Sequence, residues 1–221
     1  MMAQIMPYTG YRDGLLAPST MAEGLICRSP NCNLTSVKKF NMIQQQRTTS
    51  VAIGMILFPN LTQLDFTGPY EVFSGLPDAK VYLLAPTLDP IYSESGLTLL
   101  PNTTFKRSPT LDVLFVPGGL GVNAKLEDVE FLQFLKTQGD RARYVTAVCT
   151  GSLLLAAAGL LQGYRATTHR FYMELLAMFG VETVAQRVVI DRNRITGGGI
   201  TAGIDFGLVL AAELFGNSVA Q

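Results

Sequence analysis

The chain is poor in the residues that most often announce a function. Its 221 residues include a single histidine, no tryptophan and three cysteines, and only 15% of them are charged, with 17 acids against 17 bases. One histidine, His169, and no clustered cysteines leave a metal centre short of ligands, so none is expected. A formal net charge of zero argues against a nucleic-acid surface and against a basic membrane patch. Three cysteines, an odd number, do not make a secreted disulfide framework, which favours a reducing, cytoplasmic setting. No Walker-type loop is present. Gly197-Gly198-Gly199-Ile200-Thr201-Ala202-Gly203 precedes a helix, but it lacks both the dinucleotide spacing and the phosphate-loop Lys-Ser/Thr. It reads as a tight turn lining a cleft, and no cofactor is expected. The N-terminus has no basic region followed by an apolar run and a small-residue cleavage site, so it is not a signal peptide. Residues 145–161 are free of charge and approach the length of a membrane span. However, Cys149, Thr150, Gly151 and Ser152 interrupt the run as a strand–turn–helix would, so no membrane span is expected.

What is present changes character near Ser50. Residues 1–50 carry many Met, Pro, Ser, Asn and Gln residues and little apolar periodicity, which reads as a flexible extension. Met42 is an alternative start, which would make the first forty residues upstream sequence. Cys27 and Cys32 fall in this region without a second ligand pair. From residue 51 the hydrophobic segments alternate in type, and the domain is expected to run over 51–216 with a short tail at 217–221. Strands are expected at Val51–Phe58, Val81–Ala85, Val113–Val116, Tyr144–Val148 and Ala166–Thr168. An antiparallel excursion is expected around Ser95-Gly96 and a hairpin turning at Asp191-Arg192-Asn193. Helices are expected from Gly68-Pro69, over 128–138, after the cysteine turn, over 171–179 and from about Gly203 to Phe215. Repeated strand–helix units with short connections imply an α/β fold with a mostly parallel sheet covered on both faces.

The chemistry concentrates at Tyr144-Val145-Thr146-Ala147-Val148-Cys149-Thr150-Gly151-Ser152, followed by an Ala/Leu-rich helix. A β-branched run ending at a nucleophile, a small-residue turn and then a helix is the layout of a nucleophile elbow. Helix N–H groups and the helix dipole there favour a thiolate, so Cys149 is the candidate nucleophile. In an open α/β sheet, sites gather at the carboxyl ends of the strands. Two other loops should arrive there, one after the first strand carrying Asp65 and one at Pro117-Gly118-Gly119-Leu120-Gly121. Asp65 is the candidate proton carrier, since a carboxyl beside a thiolate has a raised pKa. The amides of Gly119 and Thr150 are expected to hold developing charge, with the glycines Gly118 and Gly151 allowing close approach. His169 reads as a satisfied structural histidine rather than as a partner of the thiol.

Five blocks in order make the chain resemble the DJ-1/PfpI superfamily, in its isonitrile hydratase-like branch. They are Gln63-Leu64-Asp65-Phe66-Thr67-Gly68-Pro69, Val116-Pro117-Gly118-Gly119, Ala142 to Ser152, Ala166-Thr167-Thr168-His169, and Ile195 to Phe206. The resemblance implies a flavodoxin-like three-layer sandwich, similar to class I glutamine amidotransferases, and commonly a homodimer. It implies catalysis by Cys149, Asp65 and Thr150 in a pocket with Gly118, Gly119, Gly151, His169, Gly199 and Ile200. Threonine after the cysteine separates this chain from branches that carry histidine there and act as peptidase-like or glyoxalase-like proteins. The branch adds water to a small isonitrile, giving an N-substituted formamide without a cofactor. Arg170 stands where family members commonly have tryptophan, and the family chain usually continues well past the helix ending near Phe215. Alternatives are a glyoxalase-like activity on 2-oxoaldehydes and a thiol-based stress or redox sensor. The domain also occurs as the sensing half of helix-turn-helix regulators, for which residues after 216 leave no room.

Overall fold

The computed structural model describes residues 50–221, so the expected N-terminal extension, with Cys27 and Cys32, lies outside the described residues. The chain opens with β1 (Val51–Ile56), α1 (Gln63–Ser74) and β2 (Ala79–Ala85). A short antiparallel pair follows, β3 (Ile91–Tyr92) and β4 (Thr98–Leu99), then the edge strand β5 (Thr103–Thr104) and β6 (Val113–Val116). Next come α2 (Val122–Lys125), α3 (Val129–Gly139), β7 (Tyr144–Val148) and α4 (Gly151–Ala157). The last third holds β8 (Arg165–Ala166), α5 (Met173–Ala177), β9 (Glu182–Thr183) and the hairpin β10 (Val188–Asp191) and β11 (Arg194–Gly197). It closes with α6 (Ala202–Phe215) and α7 (Asn217–Ala220).

Seven strands form one sheet in the order β10-β11-β7-β6-β1-β2-β5. Every neighbouring pair is parallel except the β10–β11 hairpin. After β1 the chain moves to β2 on one side and then returns to β6 on the other. The switch point therefore lies between β1 and β6, where the flavodoxin-like order opens a crevice at the strand carboxyl ends. All four residues of β6 are buried, as expected for a strand covered on both faces. An aromatic cluster of Phe73, Phe115 and Phe206 joins α1 and α6 to the sheet with ring centroids 5.5–6.2 Å apart. A second cluster joins Phe58 and Phe105 to Phe131 of α3. Asp128 caps α3 by accepting from the Phe131 N–H at 3.0 Å.

Three expectations change. The helix expected to begin at Gly68-Pro69 begins earlier, at Gln63, and holds Pro69 inside it. Asp65 consequently stands in the first turn of a helix and not on a loop. The segment expected as one helix over 171–179 is a 3₁₀ turn, Arg170–Tyr172, continued by α5. The expected tail at 217–221 forms the helical turn α7.

Candidate active site

The crevice collects the three expected segments. β7 ends at Cys149, which has a left-handed backbone conformation with φ 56°, and α4 begins two residues later. For a residue with a Cβ this conformation costs energy and needs support from its surroundings. Three bonds supply that support. The Cys149 N–H donates to the Gly197 carbonyl at 2.9 Å, while the Cys149 carbonyl accepts from the hydroxyls of Ser152 and Thr168, each at 3.0 Å. The amide of Thr167 donates in turn to Thr196 Oγ1 at 2.9 Å, tying the strip before His169 to β11.

Glycine is required at the turn for contact reasons. A Cβ on Gly151 would stand 2.3 Å from the Val116 carbonyl, and one on Gly118 would stand 2.7 Å from the Thr150 amide. Gly119 has φ 134°, and a Cβ on it would stand 2.4 Å from the Thr62 nitrogen. The elbow, the Gly118-Gly119 loop and the start of α1 therefore touch backbone to backbone.

Asp65 is fully buried and Cys149 is 5% exposed. The Gly118 N–H donates to Asp65 Oδ2 at 3.2 Å, and Oδ1 is buried without a hydrogen bond of ordinary geometry among the described residues. The neighbouring group is the Cys149 thiol. Burial raises the Asp65 carboxyl to about 6, against hydrogen bonds from Cys149 and Gly118 that lower it, and the charge of Glu94 adds to the rise. Burial and then the charge of Asp65 push the Cys149 thiol up to about 12, although the Thr150 amide and hydroxyl favour its thiolate. The expectation of a thiolate favoured by the helix N-terminus is thus corrected: desolvation and a neighbouring carboxylate outweigh the first turn of a seven-residue helix. Over the neutral range the pair holds one proton between two atoms, and in the resting site that proton lies on sulfur.

The expected donors also change. The Gly119 N–H is already used, donating to Thr150 Oγ1 at 3.0 Å, and is not free for an adduct. That hydroxyl accepts from the Gly119 N–H and reaches the Gly119 carbonyl as a donor at 3.5 Å, and its nearness favours negative sulfur.

Above the thiol lies a cavity of about 220 Å³ lined by Cys149, Thr150, Gly119, His169 and Ile200, whereas Gly118, Gly151 and Gly199, also expected in a pocket, are not among its lining residues. Thr62, Glu94, Leu120, Phe171 and Tyr172 complete it. Sequence reasoning placed Leu120 on the converging glycine loop and missed the other four; the aromatic pair directly after His169-Arg170 was the one local signal. Gly199 sits beside His169, with 3.9 Å between its Cβ position and His169 Cδ2. His169 is not the satisfied histidine expected, because its buried Nδ1 has no partner among the described residues. Arg170 lays its guanidinium over the Phe171 ring, 4.6 Å from the centroid. A larger hollow of about 370 Å³, lined by Phe105, Phe131, Phe134, Lys106, Asp128 and others, holds no nucleophile.

With this geometry in view, comparison with known proteins is specific. The DJ-1/PfpI family profile matches residues 51–213. The chain belongs to the DJ-1/PfpI family. It is 56% identical over 172 residues to an isonitrile hydratase of Pseudomonas putida, covering 78% of this chain and 75% of that one. The crystal structure of a ThiJ/PfpI family protein from Pseudomonas syringae superposes with a TM-score of 0.75 at 46% identity, over 80% of this chain and 75% of that one. An HTH-type transcriptional regulator, GbdR of Pseudomonas aeruginosa, is 29% identical over 80% of this chain, which spans 50% of the regulator's length. The flavodoxin-like α/β fold expected from the five sequence blocks is the fold observed.

Proposed function

We propose that this DJ-1/PfpI protein hydrates a small isonitrile to the N-substituted formamide, without a cofactor, through Cys149 and Asp65. The observation that carries the reading is the buried Asp65 carboxyl set against the Cys149 thiol that lines the cavity, each with its proton affinity raised chiefly by burial. An isonitrile asks for that arrangement. Its terminal carbon accepts a nucleophile and then needs a proton on the same atom, so the base that frees the nucleophile can return what it took.

The proton on Sγ passes to Asp65 as sulfur bonds to the terminal carbon. Asp65 then delivers that proton to the carbon, leaving a thioimidate on Cys149 and the carboxylate restored. A water loses a proton to Asp65 as its oxygen adds to the carbon, and that proton goes to nitrogen. The C–S bond breaks as the new hydroxyl becomes a carbonyl, and its proton returns to sulfur through Asp65. The sum is one isonitrile and one water giving one formamide. No oxyanion forms in the first half of this sequence, which agrees with a Gly119 amide already bound to Thr150. The Thr150 hydroxyl faces the developing charge on sulfur and is suited to holding the water.

The 56% identity to an isonitrile hydratase supports the same reading. A redox-sensor role would favour an exposed, acidic thiol, and here the thiol is buried and its pKa raised. Among the described residues no helix is long and apolar enough to cross a membrane. We read the enzyme as cytoplasmic and as a homodimer, since Leu64 of α1 and Ile204 and Leu208 of α6 remain exposed on two helices that pack together. The test is formamide release from an alkyl isonitrile by wild type, Cys149→Ala and Asp65→Asn. Release by wild type that falls in both variants is expected, and full release by Cys149→Ala overturns the mechanism.

A further inference from the structure

The wall of the cavity is uneven in charge. Leu120, Phe171 and Ile200 give it an apolar rim, exposed at 67%, 75% and 44%. Glu94, on the turn between β3 and β4, is the one acid among the lining residues, and none of them is a lysine or arginine. Its N–H donates to the Leu61 carbonyl at 3.1 Å, and the Thr62 hydroxyl donates to its Oε1 at 2.9 Å. Those bonds hold a carboxylate in the wall that the hydration steps do not use. Oε2 finds no hydrogen-bond donor among the described residues.

The charges around it agree in sign. Behind the thiol, the Asp65–Cys149 pair keeps one negative charge at neutral pH, and Glu94 is close enough for Asp65 to feel it. The Arg170 guanidinium is held over the Phe171 ring and does not line the cavity. Coulomb's law then ranks the ends a substrate can offer: an ammonium is attracted, an alkyl group is indifferent and a carboxylate is repelled. A volume of about 220 Å³ falls below that of sites for drug-sized ligands, so the tail must be short.

We propose that Glu94 is a specificity residue, selecting isonitriles whose substituent ends in a protonated amine or a similar cationic hydrogen-bond donor. Only the isonitrile end of this inference rests on the hydratase reading; the preference for a cationic tail rests on the cavity wall.

The test compares two length-matched isonitriles, one ending in an ammonium and one in a methyl group, on wild type and Glu94→Gln at one pH. Any change that the substitution passes to both substrates through Asp65 cancels in the ratio of their kcat/KM values. Wild type is expected to favour the ammonium substrate by roughly threefold to fivefold, the range of a half-exposed ion pair, and Glu94→Gln to bring the ratio to about one. A wild-type ratio of one or below, or a preference that survives in Glu94→Gln, overturns the proposal. Calorimetric binding of the two matching N-alkylformamides is measured alongside. If neither isonitrile is turned over, tighter binding of the ammonium formamide to wild type but not to Glu94→Gln upholds the cationic preference while the hydratase reading fails. Equal binding of both formamides in that case overturns both.

Discussion

The two hollows of this fold differ in a way that size does not reveal. The larger one, beside α3, is finished along its lining: the Lys125 ammonium pairs with Asp128 at 2.7 Å and lies 5.1 Å above the Phe131 ring, Phe105 stacks on Phe134 at 3.8 Å, and the unpartnered Gln138 Oε1 of α3 lies outside that lining. The smaller one, at the switch point, is unfinished. It gathers a strained φ at Cys149, an unpartnered Asp65 oxygen and an unpartnered His169 nitrogen within one crevice. Buried polar atoms are normally paired, so the pairs left open mark where something else is meant to bind. Volume measures space, whereas unsatisfied chemistry measures purpose.

That contrast can be broken by substitution. At the unfinished hollow, Cys149→Ala should lower kcat by about a thousandfold or more. Asp65→Asn should lower it by about a hundredfold to ten-thousandfold. Both are read from formamide release by variants whose melting confirms that they are folded. At the finished hollow, Phe131→Ala should cost about 3–5 kcal/mol of stability in chemical denaturation, because Phe131 is buried and joins two aromatic neighbours. Its kcat per folded molecule should stay at the wild-type value. A large kcat defect in Phe131→Ala would erase the division between the two regions.

A finer test uses pH. The native Asp65 carboxyl binds protons more tightly than the unfolded one, about 6 against 3.8, so stability falls as pH rises through that window and the full cost is present above it. Asp65→Asn removes the charge and should therefore stabilise the fold at pH 7 by about 2–3 kcal/mol, with the gain vanishing near pH 4. The same variant should make Cys149 alkylate faster at pH 8, since the carboxylate no longer opposes the thiolate. Activity of wild type should fall on the acid side of about pH 6 as Asp65 becomes protonated. The smallest effect is expected at an exposed ion pair that lines neither hollow. Lys136→Ala breaks a solvent-exposed pair with Asp140 and should change stability by about 0.5 kcal/mol or less.

The parts of this fold that were legible in the sequence are those whose physics is local. Buried strands such as β6 and β7 announce themselves as short β-branched runs, and the hairpin at Asp191-Arg192-Asn193 carries its own turn chemistry. The start of α1 was hidden because its capping residue does something else. Thr62 makes no cap bond and gives its hydroxyl to Glu94, while Pro69 punctuates the middle of a helix whose buried Phe66 and Phe73 keep it helical. Cys149, Asp65 and the glycines were readable as types, and their convergence follows from strand order. The traffic of their hydrogen bonds was not. Gly119 finds Thr150 across 31 residues, and Glu94 meets the crevice from a hairpin whose turn was legible at Ser95-Gly96 but whose place beside the site was not.

The bonds that hold the elbow also set an order of assembly. Cys149 leans on Gly197 and Thr168 through its backbone, and its acid partner is pinned by Gly118, more than fifty residues along the chain. The contact with Gly197 cannot close while the segment beyond Thr168 is still being synthesised, so the set is incomplete until β11 is in place. Until then the thiol keeps the ordinary acidity of an unfolded cysteine and is open to any electrophile in the cell. Completion of the last strand therefore disarms the sulfur toward bystanders at the moment it becomes competent for its own substrate.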